Sequence, residues 1–338
     1  VFNQWNIPFY VTVAITISLI WLYTFRSGMK TIIWTDTLQT TFMLSTVCII
    51  SYILMKDMNL DFFTLTHKII DSEYSKVFFF EDWKDKKYFF KQFFSGVFMA
   101  IVMTGLDQDQ MQKNLSCKNL HDAQKNMLTF STILIIVDLL FLSLGALLFI
   151  YSDTLNISIP TDKDMLFPSI ALSSGLPEYV GILFIIGIIA AAYSSADSAL
   201  TSLTTSFCVD ILEFENKPIH DQIRIRKYIH LIFSIILLIV ILIFKSINDQ
   251  SVVKSLFTVA GYTYGPLLGL YFFGLFTKFK TRDHLVPYIA IFSPIFCYVL
   301  NLYFDFGFEL LILNGFVTFW CLCMIVFWTN LFNIFNKN

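Results

Sequence analysis

Two carboxylates stand out within apolar stretches of this chain, where packing alone does not require an acid. Asp36 lies in Trp34-Thr35-Asp36-Thr37-Leu38-Gln39, and Asp197 lies in a hydroxyl-rich run from Gly187 to Ser206. On insertion scales an ionisable side chain at mid-span costs about 2.5–3.5 kcal/mol, so each acid needs a physical reason. Ala191, Ser194, Ser195 and Ser198 fall at i, i+3, i+4 and i+7, on one helix face, and Asp197 flanks that face. Hydroxyl, carboxylate and backbone carbonyl oxygens are the ligands a hard cation takes. One or two carboxylates suit a monovalent ion better than a caged divalent one. Small residues on one face also allow close helix packing, with hydroxyls bonding between helices, and that reading covers the serines without explaining the acid.

Two other groups carry chemistry. Thr104-Gly-Leu-Asp107-Gln108-Asp109-Gln110-Met-Gln112 closes an apolar run. It reads either as a solvated helix end or as a gate at a cytoplasmic mouth, with its acids pairing with Lys113. Gly261-Tyr262-Thr263-Tyr264-Gly265-Pro266 sits in the middle of another run. Proline there frees backbone carbonyls, so the spacing predicts a broken or bent helix. Such a break is tolerated where backbone lines a cavity, and the alternative is a lipid-facing kink.

The elements that must hold these residues are membrane helices. Of the 338 residues, 56 % are hydrophobic and 14 % charged, against about 25 % charged in soluble domains. Mean hydropathy is +0.68. Runs such as Met127–Tyr151 match the roughly 20 residues that cross a hydrocarbon core, and they lack the alternation of a β-barrel. Nine spans are expected, at 8–25, 32–55, 92–107, 127–151, 179–207, 228–245, 252–277, 285–304 and 308–333. One set of alternate loops carries Arg26 and Lys30, then Lys113, Lys118 and Lys125, then Lys217, Arg224, Arg226 and Lys227, then Lys278, Lys280 and Arg282, and finally Lys337. The positive-inside rule makes that set, and the C-terminus, cytoplasmic. The long loop 56–91 is of mixed charge and is expected to form at most a short surface helix. Residues 152–178 form the other outer loop. The sequence begins at Val1 without a signal peptide, and the reading is of one transmembrane domain that is a fragment of a longer protein.

With these residues in place, the chain resembles the sodium:solute symporter family. Four stretches carry the likeness, in the family's order: Gly28 to Gln39 with its TDxxQ pattern; Asp107 to Ser116, with Lys113 where the family has arginine; Ala191-Ala-Tyr-Ser194-Ser195 followed by Asp210; and Tyr262 to Leu270. The resemblance implies an all-α polytopic bundle with the LeuT-type inverted repeat, the first three core helices missing. It implies Na+ as coupling ion, bound by the Ala191 carbonyl and the Ser194 and Ser195 hydroxyls, with further ligands from the absent first helix. A second cation site maps to Asp36, Ser194 and Ser198. Asp197 joins it where the family usually has a hydroxyl, which either strengthens sodium binding or admits a proton. Asp107, Gln108 and Gln112 fall at the gate, and Met103, Thr104, Tyr262 and Tyr264 at the solute cavity. The stretch Ala100–Thr104 lacks the aromatic gate of sugar-carrying members, which weighs against a glucose-like solute.

The expected function is sodium-coupled symport of a small organic solute by alternating access, in the cytoplasmic (inner) membrane of a bacterium. The fragment by itself is expected to be inactive. The partners are the solute and the lipid bilayer, with no obligatory protein partner. A net charge of −2 gives no reason to expect nucleic acid. No organic cofactor and no metal beyond sodium is expected. The six cysteines are scattered and read as buried packing residues. A membrane enzyme would need a His/Asp metal motif, a Ser–His pair or H-E-x-x-H, and none is in the sequence. A proton-coupled carrier on the same fold and a membrane sensor or anchor remain the alternatives.

Overall fold

The computed structural model describes residues 7–24, 29–173, 176–247 and 252–335. Gly28, which opens the first quoted stretch, lies outside the described residues, as do Arg26 and Lys337 of the cationic loops. The described elements are helical throughout. In chain order they are α1 (Phe9–Thr24), α2 (Met29–Asp57), α3 (Phe62–Ile70), α4 (Phe89–Ala100), α5 (Gln108–Leu115), α6 (Leu120–Leu155), α7 (Leu166–Ser173), α8 (Glu178–Ser206), α9 (Ile219–Ile247), α10 (Val252–Phe276), α11 (Val286–Phe304) and α12 (Leu310–Phe335). Their outer faces are apolar: Ile135, Leu139 and Leu142 of α6 are all exposed. A surface of that kind is stable only in lipid.

Among the described residues, seven helical segments are long and apolar enough to cross a membrane: Ile33–Asp57, Leu120–Leu155, Glu178–Ile211, Ile219–Ser246, Ser255–Phe276, Asp283–Phe304 and Leu310–Trp328. The expected span 92–107 lies on the apolar segment Phe89–Gly105, which a break separates from Gln108–Leu115. The expected span 8–25 contains the 16-residue α1, which at 1.5 Å per residue reaches about 24 Å. The loop after α2 contains the short helix α3, capped by Asp61, whose side chain accepts from the Thr64 amide. Residues 152–178 are more ordered than a loop reading implies, because α6 runs on to Leu155 and α7 follows.

Two compact units are present. The first is Val1–Ser75 with Gln108–Asp249, and the second is Lys76–Asp107 with Gln250–Asn338. In the first, α2, α6, α7 and α8 share a core of Val47, Ile50, Leu54, Leu144, Leu147, Tyr151, Val180 and Phe184. A Cβ at Gly187 would lie 2.9 Å from Thr46 Cγ2. The glycine therefore sets the close approach of α2 and α8, the two helices that carry Asp36 and Asp197. In the second unit, α10 and α12 pack face to face. A Cβ at Gly269 would lie 2.5 Å from the Gly315 carbonyl oxygen and 2.6 Å from Thr318 Cβ.

Of the broken or bent helix expected at Gly265-Pro266, the break is absent: α10 is continuous through Pro266. Proline removes the N–H that would have bonded the carbonyl four residues earlier, which is that of Tyr262. The buried Asn314 of α12 repairs this: its Nδ2 donates to the Tyr262 carbonyl at 3.0 Å and to the Gly261 carbonyl at 3.1 Å. Ser293 of α11 in turn donates to Asn314 Oδ1 at 2.5 Å. The cysteine reading is corrected as well. Cys208 and Cys297 are buried, Cys117, Cys321 and Cys323 are half-buried, and Cys48 is exposed beside Ile49 on an outward face of α2.

Candidate cation and solute site

The site is built from the hydroxyl face of α8 upward. Ala, Leu and Ile keep that helix regular, and Ser and Thr hydroxyls bond back to it: Ser202 Oγ donates to the Ser198 carbonyl at 2.8 Å and Thr204 Oγ1 to the Leu200 carbonyl at 2.6 Å. Ser194 is thereby presented to α2, where its Oγ donates to Asp36 Oδ1. The other oxygen of Asp36 accepts from Lys113 Nζ of α5 at 2.8 Å. The same ammonium donates to Asp109 Oδ2 at 2.8 Å and to Ser198 Oγ at 3.3 Å. Gln112, the neighbour of Lys113, donates from Nε2 to the Ser202 carbonyl at 3.0 Å, which holds α5 against α8.

Asp36, Ser194 and Ser198 are thus brought together, with Lys113 among them. Asp197 is placed differently. It is fully buried, and its Oδ2 accepts from the Tyr23 hydroxyl of α1. Its Oδ1 is buried with no hydrogen-bond partner among the described residues. Ala191 is half-buried and Ser195 exposed on the same helix. Of the gate residues, Gln112 makes the bond to α8, Gln108 is exposed, and Asp107 belongs to the second unit. Met103 and Tyr264 pack in one cluster of that second unit with Met99, Val102 and Leu268. Thr104 is half-buried on the π-turn Ile101–Gly105 that ends α4. Tyr262 accepts from Asn301 Nδ2 at 3.2 Å.

Two residues escaped the sequence reading. Tyr23 was hidden because tyrosine is common near span ends, and its bond to Asp197 joins two helices far apart in sequence. His230 could have been found, as an ionisable residue inside an apolar span. It is buried, with Nε2 2.8 Å from Thr24 Oγ1 and Nδ1 3.1 Å from Thr204 Oγ1. It borders a cavity of about 640 Å³ in the first unit, which Gln112, Thr201, Asp210 and Arg226 also line.

A hydroxyl-and-carboxylate cluster between two apolar helices offers oxygen ligands of the kind a hard cation takes. The family model of the sodium:solute symporter family matches residues 3–283. The chain belongs to the sodium:solute symporter family. It is 24 % identical over 274 residues to the sodium/sialic acid symporter NanT of Aliivibrio fischeri, covering 76 % of this chain and 52 % of the relative. It is 23 % identical over 288 residues to the sodium/sialic acid symporter SiaT of Proteus mirabilis, covering 79 % and 55 %. It is 24 % identical over 263 residues to the human sodium/iodide cotransporter, covering 75 % and 40 %. The chain therefore spans about half the length of the curated relatives it matches. A solved substrate-bound, outward-open Na+-coupled sialic acid symporter superposes with a TM-score of 0.76 at 18 % identity, covering 94 % of this chain and 66 % of that one. That likeness gives the symporter-family chain the LeuT-type fold. These relatives are transporters rather than enzymes, and the chain is a multi-pass integral membrane protein.

Proposed function

We propose that the full-length protein carries a small organic solute across the cytoplasmic membrane of a bacterium, coupled to sodium entry. Sugar acids of the sialic type are the first solutes to offer, since two of the relatives are named for them. The proposed arrangement is a single transport domain of nine spans with its C-terminus in the cytoplasm. The Ala191 carbonyl and the Ser194 and Ser195 hydroxyls hold the sodium. Asp36, Asp197 and Ser198 form a second cation position. Met103, Thr104, Tyr262 and Tyr264 border the solute. Asp107, Gln108 and Gln112 form the inner gate. The observation that supports this reading is the hydroxyl face of α8, from which Ser194 reaches the Asp36 carboxylate of α2, in a chain of the sodium:solute symporter family.

Sodium entering from outside stabilises the outward-facing form and completes the solute site, and both are released inward. Each charge moved inward contributes about 2.3 kcal/mol per 100 mV. Since 1.4 kcal/mol is a factor of ten, one ion drives an uncharged solute uphill by well over tenfold.

The test is uptake by the full-length protein in proteoliposomes, across a panel of sialic acid, other sugar acids, sugars, amino acids and monocarboxylates. Sodium-dependent uptake that collapses in Ser194→Ala is the expected result. Uptake indifferent to sodium and driven by a pH gradient would replace sodium by the proton. No uptake of any solute would return the sensor reading.

A further inference from the structure

Lys113 occupies the place where a second cation would sit. Its ammonium reaches Asp36 Oδ2 and Asp109 Oδ2 at 2.8 Å each and Ser198 Oγ at 3.3 Å. Two carboxylates and a hydroxyl, from three different helices, converge on one positive nitrogen. The other oxygen of Asp36 accepts from the Ser194 hydroxyl, so both oxygens of that carboxylate already carry a donor. The side chains of Lys113, Asp36 and Asp109 are only about one-fifth exposed, at 20 %, 19 % and 20 %. At that depth a charge pair is little screened by salt, and the ammonium is not readily exchanged for solvent. Lysine presents a compact charge with three donors, which matches these three acceptors one for one. Its backbone is fixed by the neighbouring bond from Gln112 to the Ser202 carbonyl at 3.0 Å.

We infer that Lys113 is a tethered internal cation that fills the Asp36–Ser198 position, so that this protein binds a single exchangeable sodium, at Ala191, Ser194 and Ser195. The inference rests on the sodium-coupled reading above. It adds a determinant of stoichiometry: α5 delivers to α2 and α8 a positive charge that does not leave with the solute. A second sodium at the same carboxylate would meet the ammonium at close range and be repelled. Ser194 keeps its lone pairs for the remaining ion, because the hydroxyl proton is the part given to Asp36. Removing the ammonium should open the vacated oxygens to a mobile cation.

The experiment counts ²²Na+ bound at equilibrium to the purified full-length protein in nanodiscs. Wild type is expected to bind one ion per molecule with a Hill coefficient close to one. Lys113→Ala is expected to bind two, and Lys113→Arg, which keeps a charge there, is expected to stay at one. Two ions on wild type overturn the inference, as does a single ion on Lys113→Ala that is as monodisperse as wild type. Should Lys113→Ala fail to fold, the wild-type count and Hill coefficient still decide. No sodium on wild type overturns the sodium-coupled reading itself, which is a distinguishable result.

Discussion

The two compact units each hold a buried polar cluster, and the clusters are built on opposite principles. In the second unit Asn314, Ser293 and the carbonyls of Gly261 and Tyr262 form a neutral group in which the amide is satisfied on both sides. In the first unit Asp36, Asp109, Lys113, Ser194 and Ser198 form a charged group, and Asp197 beside it keeps a buried oxygen without a partner among the described residues. A neutral cluster with its bonds closed adds rigidity, since every unmet buried polar group would cost about 1–3 kcal/mol. A charged cluster with an open oxygen is poised for a cation. Burial and hydrogen bonding are common to both clusters. The difference is whether the valences close, and on the proposed function that difference would leave structure to one region and ion chemistry to the other.

The harshest break of the comparison is on the structural side. Gly269→Val should prevent folding, because the new side chain meets backbone: the Gly315 carbonyl at 2.5 Å and Phe319 N at 3.0 Å. Backbone cannot step aside as a flexible side chain does, and a loss above about 4 kcal/mol is expected. Fluorescence-detected size-exclusion of the full-length protein reads this directly, and a monodisperse wild-type-like peak would show that α10 and α12 have slack. Next in size is Asn314→Leu, which keeps the volume but removes the side-chain donor to the Tyr262 and Gly261 carbonyls, while the Ser293 hydroxyl keeps the backbone carbonyl of residue 314 at 2.9 Å. A loss of about 2–4 kcal/mol is expected as a lower Tm, with sodium activation per folded molecule unchanged. A variant that melts normally but loses sodium dependence would move this cluster to the functional side.

Ser194→Ala probes the other side. Sodium activation should weaken by about tenfold or more, equivalent to ~1.4 kcal/mol, while Tm without sodium changes little. Uptake titrated with sodium, and melting curves with and without it, separate the two effects. A large drop in Tm with unchanged sodium affinity would place Ser194 among the packing hydroxyls.

What the sequence showed of these clusters follows from how local each one is. The membrane helices were legible because long apolar runs speak for themselves. The hydroxyl face of α8 was legible because its spacing is set within one helix. Lys113 was recognisable as a partner for nearby acids, and Asp109, four residues before it, is one. Its second partner, Asp36, lies on a different helix, and only the tertiary arrangement brings it within 2.8 Å. The broken form of the helix expected at Gly265-Pro266 is absent for the same reason. Proline does free the Tyr262 carbonyl, but Asn314 from α12 bonds it at 3.0 Å and the helix continues. Tyr23 was not seen at all, since nothing within α1 indicates that its hydroxyl meets an acid on α8.

Tyr23→Phe gives the smallest expected effect and the sharpest test of what the open oxygen of Asp197 means. The Tyr23 hydroxyl donates to Asp197 Oδ2, and the ring stacks on Tyr193 with centroids 6.2 Å apart. Phenylalanine keeps the stacking and removes the hydroxyl, with its donor to Asp197 and its hydrogen bond with Gln39. A hydrogen bond to a charged group contributes about 1.5–3 kcal/mol, so the buried carboxylate of the variant is less well satisfied when no cation is present. A nearby sodium then restores more in the variant than in wild type. Because a ligand that binds only the folded state stabilises it in proportion to the logarithm of its occupancy, the rise in Tm with added sodium should be larger in Tyr23→Phe. Sodium affinity should tighten by about threefold, or ~0.7 kcal/mol. If sodium raises Tm equally in both proteins, Asp197 is sealed by α1 and takes no part in holding the ion, and the first cluster shrinks to Asp36, Lys113 and the serines.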